Sequence, residues 1–129
     1  VGGVAIRLTN KTGSSSVKGQ VVKASTGTDN AFMTTGVSDD SSFGIVYEEG
    51  IADGSECWVV VSGIAEVLIK DGTAATHGYW VYASDTAGRA DATNSSPLGI
   101  PEHMLEIGHC IESKTSGTDV LAKCVLHFN

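Results

Sequence analysis

From residue 19 onward, short apolar runs alternate with clusters of turn-forming residues. Strands are predicted at Gln20–Ala24, Phe43–Glu48, Cys57–Val61, Ala65–Ile69, Tyr79–Ala83, Leu105–Glu112 and Val120–Phe128. The last is the clearest. Val120, Ala122, Cys124, Leu126 and Phe128 share one face of an extended chain, and Leu121, Lys123, Val125 and His127 the other. Trp58-Val59-Val60-Val61 is apolar on both faces, which suits a central strand with Trp58 in the core. Asp53-Gly54, Asp71-Gly72, Ala87-Gly88 and Ser116-Gly117 supply turn chemistry between runs. Pro101-Glu102-His103-Met104 suits one helical turn, because proline is tolerated at the first helical position. No stretch supports a helix of three turns.

Residues 1–18 break this pattern. Val4, Ile6 and Leu8 alternate with other residues, and then Ser14-Ser15-Ser16 interrupts. The segment reads as an extended N-terminal arm with a flexible hinge, preceding one β domain over residues 19–129.

The domain looks internally duplicated. Gly19–Ser25 resembles Gly78–Ser84, Phe43–Glu48 resembles Ile107–Glu112, and Gly54–Val59 resembles Gly117–Ala122. Two pseudo-repeats, approximately 19–63 and 78–128, would pack face to face, since neither half buries its apolar face alone. The expected architecture is a compact all-β barrel-like body. Composition agrees: 16 glycines against 2 prolines, with many Thr, Ser and Val, favour strands and tight turns. A hydrophobic share of 41% excludes extensive disorder. No glycine period or heptad is present, which excludes collagen and coiled coil.

Charge adds an asymmetry. Arg7, Lys11, Lys18 and Lys23 all precede the first acid, Asp29, so residues 1–28 carry +4 and the rest 4 − 15 = −11. A net-acidic chain is a poor nucleic-acid partner, because phosphate contacts need clustered cations. No segment approaches the roughly 18 apolar residues that span a membrane, and no signal peptide is visible.

Little here points to chemistry. Cys57, Cys110 and Cys124 lack Cys-x-x-Cys spacing, and each pairs with a valine of the other repeat, which favours buried, reduced thiols. There is no Gly-x-Ser-x-Gly elbow. His103 and His109 are six apart, a poor spacing for a metal. Glu48 and Glu49 point to opposite faces of a strand, so they make a poor glycosidase pair. Asp39-Asp40 reads as solvated in a Ser-rich loop. No catalytic residue, cofactor site or metal site is assigned. Tyr79, Trp80 and Tyr82 place aromatics on both faces of one strand: one face fills the core, and the other is an oligomer surface or a stacking platform for sugar.

Several motifs together carry a family resemblance. Gly-x-x-Val-x-Ala-Ser at 19–25, Phe43–Glu48, Gly54-x-x-x-Trp58-Val59-Val60-Val61-Ser62-Gly63, Gly72-Thr73-Ala74-Ala75-Thr76-x-Gly78-x-Trp80-Val81-Tyr82 and Asp85-x-x-Gly88-Arg89-Ala90 are similar to the small capsid decoration, or cement, proteins of tailed bacteriophages. The resemblance covers about residues 19–129. It implies a β-tulip-like, non-enzymatic domain that binds the outer surface of a phage head and stabilises it against internal DNA pressure. The implied partner is the phage major capsid protein, engaged by a homotrimer on the virion's outer surface, after synthesis in the host bacterial cytoplasm. Such proteins often thread an N-terminal arm onto the shell. Here Val4, Ile6, Arg7, Leu8 and Lys11 would be that arm, and removing residues 1–12 is expected to leave the fold intact. The alternative is a carbohydrate-binding β-module for host adhesion, carried by Trp80, Tyr82 and acidic loops.

Overall fold

The computed structural model describes residues 2–94 and 100–128. Among the described residues, nine strands run in chain order: β1 (Gly3–Asn10), β2 (Val21–Ala24), β3 (Ala31–Thr34), β4 (Ser42–Val46), β5 (Glu56–Leu68), β6 (Trp80–Ala83), β7 (Ala90–Thr93), β8 (Glu106–Cys110) and β9 (Leu121–Leu126). A single helical turn, α1 (Ile100–Met104), follows β7 where proline was expected to start one.

The sheet order is β1-β3-β2-β4-β5-β9-β8-β6-β7, and β1 also pairs with β5. Those pairings close a five-stranded barrel, β1-β3-β2-β4-β5. The remaining strands extend the sheet from the second half of β5. A parallel bridge between Ile69 and Ala90 brings the far edge, β7, back to the end of that strand. In both halves the order is the same: β3-β2-β4-β5 and β7-β6-β8-β9.

Two apolar clusters fill the molecule. Val22, Phe32, Val46, Cys57 and Val59 form one, with Leu8 packed against it. Val21, Ile45, Val60, Val67, Val81, Ile107, Cys124 and their neighbours form the larger one. Adjacent residues thus go to different clusters (Val21 and Val22, Ile45 and Val46, Val59 and Val60), because successive strand side chains point to opposite faces and these strands are covered on both.

Three expectations change. Residues 3–10 are not an arm standing off the body. They are β1, paired antiparallel with β5 from Gly3–Gly63 to Thr9–Glu56 and parallel with β3. An isolated extended segment leaves its backbone groups unpaired, and the ladders satisfy them. The serine hinge is likewise tied down: the buried Ser16 hydroxyl donates to the Glu48 carbonyl at 2.6 Å and accepts from the Ile51 N–H at 2.8 Å. Buried Asn10 anchors the strand's end, donating through Nδ2 to the carbonyls of Ser14 and Ile51. Second, Cys57–Val61 and Ala65–Ile69 fall within one thirteen-residue strand and its immediate continuation, not two separate strands. The chain runs straight through Gly63, whose φ of +87° serves a close approach of β1 and not a turn. Third, Trp58 is not core but 40% exposed.

Candidate functional site

Four exposed large apolar side chains of the barrel lie near the β1–β5 ladder and the end of β4. Val4 is 58% exposed, Ile6 39%, Tyr47 58% and Trp58 40%. The ladder explains part of this. Arg7 stands opposite Trp58, and Ala5 opposite Val60, so these four share one face of the sheet. Val4 and Ile6 alternate with them and leave by the other face. Tyr47 follows β4 and donates its N–H to the Trp58 carbonyl at 3.0 Å, which holds the two aromatics side by side.

Between them lies a groove of about 290 Å³ lined by Gly3, Ala5, Tyr47, Trp58, Val60 and Ile64. It adjoins a second hollow of about 200 Å³ that reaches Lys18, Glu66 and Lys123. Each aromatic carries a cation: the Arg7 guanidinium carbon is 5.6 Å from the Trp58 ring centroid, and Lys18 Nζ 5.9 Å from that of Tyr47.

The basic N-terminal segment is internally neutralised. Arg7 pairs with Glu56 at 3.5 Å, Lys11 with Asp53 at 3.9 Å, Lys18 with Glu66 at 3.4 Å and Lys23 with Asp39 at 2.7 Å. The +4 of residues 1–28 therefore meets acids of the body at every cation. Leu8 packs into the barrel's core cluster and is structural. Asp39 also departs from expectation, being structural and not merely solvated. Its carboxylate accepts from the Gly36 and Ser41 N–H groups. Burial pushes its pKa up, but the hydrogen bond from Lys23, those two backbone bonds and the lysine charge outweigh this and hold it at about 2.

The aromatic strand divides as its alternation requires. Tyr79, just before β6, packs against the larger core cluster, whereas Trp80 and Tyr82 stand half-buried on the outer face. Trp80 lies against His109 with centroids 4.2 Å apart, and edge-on to His103 at 6.4 Å. Nearby, the fully buried Glu106 carboxylate has Oε2 3.1 Å from Nδ1 of His127 and Oε1 3.3 Å from Nδ1 of His103. Sequence reasoning missed this cluster, because α1, β8 and the end of β9 each contribute one part. Among the described residues, no group of three or more His, Cys, Asp or Glu is placed to hold a metal ion, and no helix is long and apolar enough to cross a membrane.

Against known proteins, the family profile described as phage cement protein matches residues 1–126. Among solved structures, the N base of head fiber gp8.5 from bacteriophage phi29 superposes with a TM-score of 0.57, at 16% identity, over 98% of this chain and 95% of that one. This likeness is one of fold. No curated protein matches the chain.

Proposed function

The chain belongs to the phage cement protein family, a family of structural proteins of the phage head, and we propose that it decorates the outer surface of the head and braces it against internal DNA pressure. The observation that carries this reading is the aromatic groove between β1 and Tyr47. Monomeric surfaces rarely gather large apolar side chains around a concavity unless something docks there. Tyr, Trp and Arg are also the residue types that carry most of the energy at protein interfaces. Trp58, Tyr47 and Arg7 would anchor the contact with the major capsid protein, and Val4 and Ile6, exposed on the opposite face of β1, would offer it a second apolar contact. Lys11 would serve as a rim charge.

The chain acts without catalysis in this reading, as a binding surface. A homotrimer on the particle would present three such grooves at once, raising avidity through effective concentration without any stronger single contact. Trp80 and Tyr82 offer the outward aromatic face through which copies would meet.

The test is sedimentation of purified chain with undecorated heads. Wild type should co-sediment at about one copy per major capsid subunit. A Trp58→Ala/Tyr47→Ala double variant should keep its circular dichroism and unfolding midpoint while losing the heads. Full decoration by the folded double variant would reject this surface. Failure of wild type to bind any head would reject decoration itself.

One observation favours carbohydrate binding as a second reading. His103 and His109 supply polar groups beside Trp80, as a sugar platform requires. Glycan binding lost on Trp80→Ala, with head binding retained, would select it.

A further inference from the structure

Cys110 and Cys124 stand directly opposite each other in the antiparallel β8–β9 ladder. We infer that they form a redox site, closing to a cross-strand disulfide when the chain meets a peroxide. The inference is independent of the capsid-binding reading.

The backbone fixes the geometry. Cys110 donates its N–H to the Tyr79 carbonyl at 2.9 Å, and its own carbonyl accepts from Gly78 at 2.7 Å. Both of its backbone groups therefore turn away from β9. The neighbouring residue, Ile111, donates to the Lys123 carbonyl at 2.9 Å. Cys110 and Cys124 thus occupy a non-hydrogen-bonded pair, the type in which facing Cα atoms approach to roughly 4.5 Å. A disulfide accepts Cα separations of about 4.4–6.8 Å, so the bond needs no displacement of either strand. Both side chains point into the larger core cluster. Cys57 lies in the other cluster and cannot reach them.

The two thiols are chemically unequal. The Cys124 thiol facing it holds the Cys110 thiol down to about 7, against the opposing effect of burial, while Cys110 Sγ donates to the Glu112 carbonyl at 2.9 Å and Cys124 Sγ to the Ala122 carbonyl at 3.5 Å. The same contact, with burial added, pushes Cys124 up. Cys110 is therefore the nucleophile and Cys124 the resolving thiol. Cys110 also ends β8, three residues before the exposed 113–119 loop.

The steps balance with hydrogen peroxide as oxidant. The Cys110 thiolate attacks one peroxide oxygen; the S–O bond forms, the O–O bond breaks and hydroxide leaves. The Cys124 sulfur then attacks the Cys110 sulfur; the S–S bond forms, the S–O bond breaks, and the second hydroxide leaves as water with the Cys124 proton. The pair surrenders two electrons, and the hydroxide released first takes up a proton from solvent, so that one peroxide becomes two waters.

The experiment treats the full reduced chain with hydrogen peroxide, then denatures, alkylates and maps it by mass spectrometry. The expected result is a loss of about 2 Da, a peptide joining Cys110 to Cys124, and alkylation of Cys57 alone. Cys124→Ser should abolish the loss and drive Cys110 on to its higher oxides. Three alkylated thiols after treatment, a bridge involving Cys57, or over-oxidised Cys110 beside an alkylated Cys124 in the wild-type chain would each overturn the inference.

Discussion

Arg7 lies opposite Trp58 across the β1–β5 ladder, its guanidinium carbon 5.6 Å from the indole centroid, while its Nη2 reaches Glu56 at 3.5 Å. The arrangement keeps an exposed indole standing at the edge of the groove. Both partners are about half exposed, so the contact is worth little to stability. Arg7→Ala should cost about 0.5–1 kcal/mol, read as a small drop in the urea midpoint. Its effect on head binding should be larger than that, because a freed indole must be ordered again on docking. Equal losses in stability and in head binding would show that Arg7 does not position Trp58.

Phe32 fills the barrel from β3 and is fully buried against Val22, Val46, Cys57 and Val59. Phe32→Ala should leave a cavity at the centre of the smaller cluster and cost about 3–5 kcal/mol. Phe43 packs at the edge of the same cluster and is only partly buried, so Phe43→Ala should cost less. Urea denaturation of the two variants decides the order, and the reverse order would place the barrel's core elsewhere.

Most strands were legible where apolar alternation was strong, as along β9, or where a run was apolar on both faces, as at the start of β5. β3 and β7 were not. Each is four residues long, and β7 reads Ala-Asp-Ala-Thr, which has too little apolar contrast to show a period. β1 displayed its alternation in Val4, Ile6 and Leu8, but a single segment cannot reveal what it pairs with. Its partners lie about fifty residues away in β5 and beyond a loop in β3. Trp58 sits in an apolar run, and hydropathy alone gave no hint that its face opens onto a groove. Val22 and Val81, taken from two segments that resemble each other in sequence, both precede a register shift, one between β2 and β4 and the other between β6 and β8. The Glu106–histidine cluster was hard to read because only His103 is near Glu106 in sequence; His127 comes from the chain after β9, 21 residues on.

Asp39 gives the chain a specific response to acid. Its folded pKa of about 2 lies below the ordinary carboxylate value of 3.8. The unfolded chain therefore binds the proton more readily than the folded one, and the carboxylate's contribution is fully present only above about pH 4. Stability should fall as pH drops from about 4 through 2. At neutral pH, Asp39→Asn should cost about 1–2 kcal/mol, reduced from the full linkage value by solvent near the site. Unfolding midpoints of wild type and variant should converge toward pH 2. A difference that stays constant across that range would assign Asp39's role to packing and not to charge.

Closure of the barrel by β1 makes the sharpest test. At Gly63, a Cβ would lie 2.6 Å from the Gly3 Cα and 2.8 Å from the Gly2 carbonyl oxygen, with φ at +87°. Gly72 shares the conformation, φ +80°, but has no atom within 4 Å of that position. Gly72→Ala should therefore report backbone strain alone, about 1 kcal/mol. Gly63→Ala adds the collision with β1 and should cost about 3 kcal/mol, with faster amide exchange at Ile64, whose N–H donates to the Gly2 carbonyl. Deleting residues 2–12 goes further. It removes a barrel strand and the buried Asn10 anchor, and it exposes the edges of β3 and β5. The truncated chain should lose cooperative unfolding altogether, so loss of head binding on truncation would say nothing about docking. A truncated chain that unfolds cooperatively at the wild-type midpoint would show that β1 is dispensable to the barrel, and would restore the segment as a detachable arm.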